Sequence, residues 1–75
     1  MVKPTRVTNP IRALRLARGE MTQAQLAEQN GVTRQTVIAI EQGKYSPPLE
    51  LAFQIARVFE APLDSVFGYD DGGAS

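Results

Sequence analysis

The sequence of 75 residues contains neither cysteine nor histidine. Without cysteine, no disulfide and no thiolate ligand can hold the fold together. The absence of both residue types also excludes the usual zinc sites and the Ser-His-Asp and Cys-His catalytic arrangements. A chain this short has little room for a water-excluded pocket in which carboxylates or a lysine could act, so we expect neither enzyme activity nor a cofactor.

Long apolar runs are missing as well. No stretch approaches the ~20 residues needed to cross a bilayer, and the first residues do not form a positively charged and then apolar leader. We therefore expect one small soluble domain in the cytoplasm, without membrane association. A domain of this size buries little surface, so compact helical packing or oligomerisation should help to stabilise it.

Charge is balanced overall but unevenly distributed along the chain. The formal net charge is zero. Residues 1–44 contain seven cations and three anions, giving +4, whereas residues 45–75 contain one cation and five anions, giving −4. The zero net charge argues mildly against nucleic-acid binding, whereas the asymmetry indicates a charge dipole with a basic N-terminal half; solvated surface charge would produce the same pattern.

The spacing of apolar residues, caps and breakers predicts five short helices and no strand. The helices are expected at residues 10–18, 23–29, 34–42, 49–59 and 63–67, which makes the fold class all-α. The start and stop signals are Asn9-Pro10, Thr22, Thr33, Gly19, Asn30-Gly31 and Gly43. Residues 1–8 are expected to form an extended arm, 9–69 the helical domain, and 70–75 a disordered polar tail.

Residues 22–44 have the pattern of a helix-turn-helix. Two helices joined by about three residues pack closely only when particular positions are small or apolar. Ala27 is small, and Gly31 can adopt the left-handed corner. The predicted apolar faces comprise Val32, Val37 and Ile40 here, and Ile11, Leu14 and Ala17 in the first helix. By spacing alone, another tight pair of antiparallel helices would show the same pattern.

The run TQAQLAEQNGVTRQTVIAIEQGKYSPPLELAFQIARVF, preceded by IRALRLARG and followed by PLDSVF, resembles the lambda-repressor/Cro-type helix-turn-helix family, often called the Xre family. The resemblance covers residues 11–67. It implies a compact five-helix domain of a bacterial or phage transcriptional regulator that binds double-stranded DNA as a homodimer. Asn30 departs from the family, which usually has an apolar residue there, and is expected to cap the second helix instead.

The third helix begins with polar side chains that suit contacts to base edges. Arginine can donate two hydrogen bonds to guanine, and glutamine can bond adenine as both donor and acceptor. In docking like that of the family, Arg34, Gln35 and Ala39 face the bases. Thr36 contacts a thymine methyl group or a phosphate. Ile38 points outward, and both an edge contact to DNA and partial core burial remain open.

Contacts to backbone phosphates are expected at both ends of the motif. Gln23 matches the glutamine with which the family binds a phosphate and braces the base-reading residues, and its amide can both donate and accept. Thr22, Thr33 and Lys44 are further candidates. Tyr45 has two interpretations, a phosphate contact or a core plug against the fourth helix.

Arg15 and Glu41 occupy the places that the family fills with an arginine–glutamate pair. The resemblance implies a partly buried ion pair that sets the angle of the third helix. Neither residue is assigned to DNA.

The fourth helix suggests contact with a second chain. Its polar residues fall on one narrow stripe, and at ~100° per residue its apolar arc extends over about 220°, roughly twice what one small core uses. A second copy would bury the excess, and burial within the monomer is the alternative. The predicted dimer interface consists of Leu51, Phe53, Val58, Val66, Phe67 and Tyr69.

Two classes of function follow from these patterns. The main hypothesis is a sequence-specific repressor on a palindromic operator, located on the nucleoid when bound. The alternative is an antitoxin or accessory module that binds a toxin or another protein partner. The arm, with Lys3 and Arg6, either contacts DNA, frays or pairs as an edge strand across a dimer.

Overall fold

The computed structural model describes residues 5–70, which form five helices and two very short strands. The helices are α1 (Ile11–Ala17), α2 (Gln23–Gln29), α3 (Arg34–Glu41), α4 (Leu49–Val58) and α5 (Leu63–Val66). The strands are β1 (Val7–Thr8) and β2 (Gly68–Tyr69). The predicted five-helix fold is confirmed. The predictions that concern Lys3 and residues 71–75 lie outside the described residues.

One apolar core lies between the helices, and every helix contributes to it. Its most deeply buried side chains are Ile11, Leu26, Val37, Ile40, Ile55 and Val66. Burial of each such side chain is worth about 2 kcal/mol relative to exposure. Ala17, which was predicted to face inward, is exposed. Ile11 and Leu14 face the core as predicted, and Arg15, one helical turn after Ile11, takes the buried position that Ala17 does not.

Strand pairing within one chain was not predicted, since the sequence suggested an edge strand of the arm only across a dimer. The two strands pair antiparallel within one chain, with Val7 opposite Tyr69 and Thr8 opposite Gly68. The Asp70 amide donates a hydrogen bond to the backbone carbonyl of Arg6, the residue before β1, at 2.7 Å. The pairing therefore joins the end of the arm to the chain that follows α5.

Side chains cap the first turns of α2 and α3, as the sequence predicts. Thr22 and Gln25 form a reciprocal capping box, in which each side chain accepts the other's backbone amide, at 3.0 and 2.8 Å. The Thr33 hydroxyl accepts the amide of Thr36 at 3.2 Å. These caps determine the residues at which the two helices begin.

The turn between α2 and α3 depends on a left-handed backbone at Gly31, where φ is +67°. Beyond this corner the Val32 amide donates back to the Ala27 carbonyl at 3.0 Å, as in a Schellman motif. The Asn30 side-chain amide donates to the Leu26 carbonyl at 2.9 Å. Asn30 thus caps the C-terminus of α2, in agreement with the prediction, and the turn is closed by both backbone and side chain.

Replacing Gly31 tests the need for this left-handed corner. A Cβ at Gly31 would meet no atom within 4 Å, so only the backbone conformation opposes it. Gly31→Ala should therefore lower the free energy of unfolding by about 1 kcal/mol, measured by urea denaturation. The control is Glu60→Gly, since Glu60 holds a φ of +53° with a side chain present. That variant should keep or gain stability; equal losses in both variants would contradict the argument.

Candidate nucleic-acid interface

The shape of the motif comes from the apolar contact between α2 and α3. Leu26 and Ala27 of α2 and Val37 and Ile40 of α3 are all buried in it. Because Ala27 has only a methyl group, the two helices can approach closely there. Val32, in the connecting turn, is half-buried and packs against the same cluster.

A buried ion pair joins α1 to α3. Arg15 Nε lies 2.6 Å from Glu41 Oε2, and Arg15 Nη2 donates to Glu41 Oε1 at 3.0 Å, so the contact is bidentate. The two side chains are only 9% and 8% exposed. The remaining guanidinium nitrogen, Nη1, donates to the Met21 carbonyl at 2.9 Å. Each of the three guanidinium nitrogens of Arg15 is therefore engaged, and α3 is held at a defined angle to α1.

Gln23 extends this network to the surface. Its side-chain Nε2 donates to Glu41 Oε1 at 3.3 Å. The sequence singled out Gln23 for a phosphate contact but did not link it to Glu41. Since an amide nitrogen carries two hydrogens and the amide oxygen accepts, half-buried Gln23 retains hydrogen-bonding capacity toward a ligand.

The candidate base-reading residues lie along the outer face of α3. Arg34 and Gln35 are exposed, whereas Thr36 and Ala39 are half-buried. Ile38 is also half-buried, which fits partial core burial and still leaves part of its side chain open for a contact at the edge of the DNA. The arrangement presents two long polar side chains at the start of the helix and shorter groups farther along it.

Thr33 and Thr36 share a hydrogen bond that the sequence did not reveal. Their hydroxyl oxygens are 3.1 Å apart, and either can be the donor. One hydroxyl hydrogen is used between them, so one remains to bind a group outside the protein. The pair can offer a single donor at the start of α3.

The C-terminal end of α3 presents two further candidates. Gly43 has a φ of +73°, and the Lys44 amide donates back to the Ala39 carbonyl at 2.9 Å. This closure ends the helix and leaves the Lys44 side chain exposed. Tyr45 is 43% exposed, so it does not plug the core.

Two contacts from the N-terminal segment hold the same end of α3, and neither is predicted from the sequence. The Asn9 side-chain amide donates to the Ile40 carbonyl at 3.0 Å while its oxygen accepts the Ile11 amide at 3.2 Å. The Thr5 amide donates to the Gly43 carbonyl at 3.0 Å. The only sequence signal was Asn9 itself, which had been assigned to capping α1; the backbone contact of Thr5 carries no signal.

The predicted dimer residues separate into two groups. Leu51 and Val66 are buried in the core of the monomer, which corrects their assignment to an interface. The width of an apolar arc on a helix does not show whether the same chain or a second chain covers it. Here the other helices of the monomer cover Leu51 and Val66. Val58 and Phe67 are half-buried, and Phe53 and Tyr69 are exposed.

The capped helices α2 and α3 pack closely at the small residue Ala27 and are joined by the left-handed corner at Gly31. Together with the exposed polar face of α3, this arrangement defines a helix-turn-helix domain. The helix-turn-helix family model HTH_3 matches residues 11–66. The chain therefore belongs to this family of DNA-binding transcriptional regulators, which are not enzymes. No helix within residues 5–70 is long and apolar enough to cross a membrane.

The chain is similar to several HTH-type transcriptional regulators whose functions are uncharacterized. It is 53% identical over 51 residues to MJ0272 of Methanocaldococcus jannaschii, covering 68% of this chain and 77% of that protein. It is 47% identical over 55 residues to a regulator of Archaeoglobus fulgidus, covering 73% and 78%. It is 44% identical over 63 residues to YgzD of Bacillus subtilis, covering 84% and 94%.

Two solved structures have similar folds. A candidate DNA-binding protein from Bacteroides fragilis superposes with a TM-score of 0.70 at 24% identity, covering 83% of this chain and 98% of that chain. At this identity the similarity concerns the fold alone. The HTH_3 family transcriptional regulator from Vibrio cholerae has a TM-score of 0.62 at 29% identity, covering 73% of this chain and 30% of that chain.

Removing one partner of the buried ion pair should be strongly destabilising. Arg15→Met would leave the Glu41 carboxylate buried without its partner, and the free energy of unfolding should fall by about 3 kcal/mol. Urea denaturation measures the loss. The double variant Arg15→Met, Glu41→Leu should recover most of it, because no unpaired charge remains. A single variant as stable as the wild type would show that the pair does not organise the fold.

Proposed function

We propose that this protein is a sequence-specific transcriptional repressor that binds a palindromic operator as a homodimer. The observation that carries the proposal is the presentation of exposed Arg34 and Gln35 at the start of α3, whose angle the buried Arg15–Glu41 pair fixes. A side chain that reads bases must be held by a rigid element, and α3 meets that requirement. Inserted in the major groove, α3 would bring both side chains to base edges.

The chemistry of these side chains suits discrimination between base pairs. Arg34 can donate to O6 and N7 of one guanine, and Gln35 can pair with N6 and N7 of one adenine. The methyl groups of Thr36 and Ala39 can contact a thymine methyl group. Within the described residues, neither Arg34 nor Gln35 makes a side-chain hydrogen bond or ion pair, so neither must release a protein partner to bind DNA.

Phosphate contacts would flank the bases on both sides. Thr22, Gln23 and Thr33 lie at the starts of α2 and α3, and Lys44 and Tyr45 follow the end of α3. Hydroxyl, amide and ammonium donors at the two ends would fix the register of α3 on the duplex.

A second copy would complete the recognition of a palindrome. Leu49 and Phe53, one turn apart on α4, are 66% and 49% exposed, and Tyr69 is 70% exposed. A two-fold axis beside this surface would bury it in a self-complementary interface. Half-buried Phe67 lines one groove with Leu49 and would add to it. Two copies of α3 would then reach half-sites ~34 Å apart. Occupying such a site on the nucleoid would block transcription.

Substitutions on α3 separate base reading from backbone binding. Arg34→Ala or Gln35→Ala should weaken binding to the cognate site by about 1–3 kcal/mol and relax preference at one base step. Lys44→Ala should weaken binding to all duplexes alike. The measurement is selection of sites from random duplexes, followed by titration of the enriched site and its variants.

The result of the selection also decides between classes of function. Enrichment of a palindrome with strong salt dependence would support the repressor. Absence of any selected sequence would contradict it and favour a module that binds a protein such as a toxin. An Arg34→Ala variant with full selectivity would show that Arg34 does not read a base.

The dimer is tested by sedimentation of the free protein. Phe53→Gln should shift the monomer–dimer equilibrium toward monomer by at least tenfold, about 1.4 kcal/mol, because the side chain would lose burial against a second copy. Leu16→Gln is the matched control, since Leu16 is 50% exposed on α1. Only monomer in the wild-type protein at high micromolar concentration would rule out the homodimer.

A further inference from the structure

An open groove of about 460 Å³ lies between α1 and the first turns of α2 and α3. Arg12 of α1, Thr22, Gln23 and Arg34 line it, and Arg15 and Glu20 complete its charged lining. Sequence reasoning did not assign Arg12 to any site. The groove continues the proposed base-reading surface, because Arg34 belongs to both.

Of the three arginines that line this groove, only Arg15 has an ion-pair partner among residues 5–70. Arg15 is neutralised by Glu41 at 2.6 Å. Arg12 and Arg34, in contrast, have no side-chain hydrogen bond and no ion pair with any residue from 5 to 70. Glu20 is the one carboxylate among the residues that line the groove. Two unpaired guanidinium groups against one carboxylate leave the groove positive and suited to an anion.

Neutral hydrogen-bond donors beside the arginines indicate which kind of anion the groove suits. The Thr22 oxygen accepts the Gln25 amide at 3.0 Å, which leaves its hydroxyl hydrogen to donate. Gln23 has one amide hydrogen beyond its bond to Glu41. A phosphate group presents several acceptor oxygens at once and can use a guanidinium together with such neutral donors.

We propose that Arg12 binds a DNA backbone phosphate immediately outside the bases read by α3, which extends the interface onto α1. This inference rests on the proposed function, which places Thr22, Gln23 and Arg34 against the duplex. The Arg12 contact is independent of base sequence and adds affinity without adding discrimination. Glu20 opposes it by repelling the same phosphate.

The test is salt-dependent binding of the full chain to a duplex that carries the selected site with several flanking base pairs. Arg12→Gln should lower the magnitude of the slope of log affinity against log salt by about 2, because each protomer of the homodimer loses one phosphate contact. Between 50 and 200 mM salt, the wild-type affinity should then fall about tenfold more than that of the variant. Arg12→Lys should keep most of the slope, and Glu20→Gln should tighten binding.

Two controls define the site. Arg57→Gln removes an exposed arginine that lines a different groove, beside Gln29 and Gln54, and should leave the slope unchanged. Replacing the flanking phosphates with uncharged methylphosphonates should abolish the difference between wild type and Arg12→Gln. Discrimination between the selected site and its base variants should be the same in Arg12→Gln as in the wild type, unlike in Arg34→Ala.

The outcomes distinguish this site from the function on which it rests. A wild-type protein without salt-dependent, selective binding would overturn the repressor proposal itself. Selective wild-type binding together with an Arg12→Gln slope and affinity equal to wild type would overturn only the α1 contact. A loss of base discrimination in Arg12→Gln would also overturn it, since Arg12 would then act on base reading.

Discussion

The guanidinium of Arg15 and the carboxylate of Glu41 meet beneath the surface, where α1, α3 and the residues before α2 come together. Taking two charges out of water costs several kcal/mol for each ion, and only well-formed hydrogen bonds offset that cost. Here both carboxylate oxygens of Glu41 accept from Arg15. The Met21 carbonyl accepts a further hydrogen bond from Arg15, and the Gln23 amide donates one to Glu41. Val37 and Ile40 supply apolar burial that tolerates small rotations of α3, whereas these directional bonds do not. The direction in which α3 presents its side chains depends on this one pair.

The distribution of charge explains how a protein without net charge can suit a polyanion. Arg15 and Glu41 both belong to residues 1–44, so burying them together removes one cation and one anion from the surface and leaves the +4 of that half unchanged. Arg12, Arg34 and Lys44 remain exposed on α1 and at the two ends of α3. The average charge of the chain is therefore a poor guide to its surface, and the position of each charge decides what can approach.

The elements that depend on neighbours in sequence could be predicted. The capping box at Thr22, the corner at Gly31 and the inward pair Val37 and Ile40 all follow from local spacing. The resemblance to a known family, and not periodicity, pointed to Arg15 and Glu41. What escaped prediction depends on neighbours in space: two-residue strands are too short to show alternation, the Asn9–Ile40 bond uses a backbone carbonyl, and the groove beside Arg12 needs three helices at once.

The pairing of the two strands has a consequence for the order in which the molecule assembles. Val7 meets Tyr69, 62 positions later in the chain, and the entropy of closing so long a loop opposes this contact until the helices have brought the ends together. Only then can Thr5 reach the carbonyl of Gly43 behind α3. The two strands should therefore pair late in folding and, having only two residue pairs, separate before the core unfolds. Separation of the strands would release the Thr5 contact at the C-terminal end of α3 while the core is still intact.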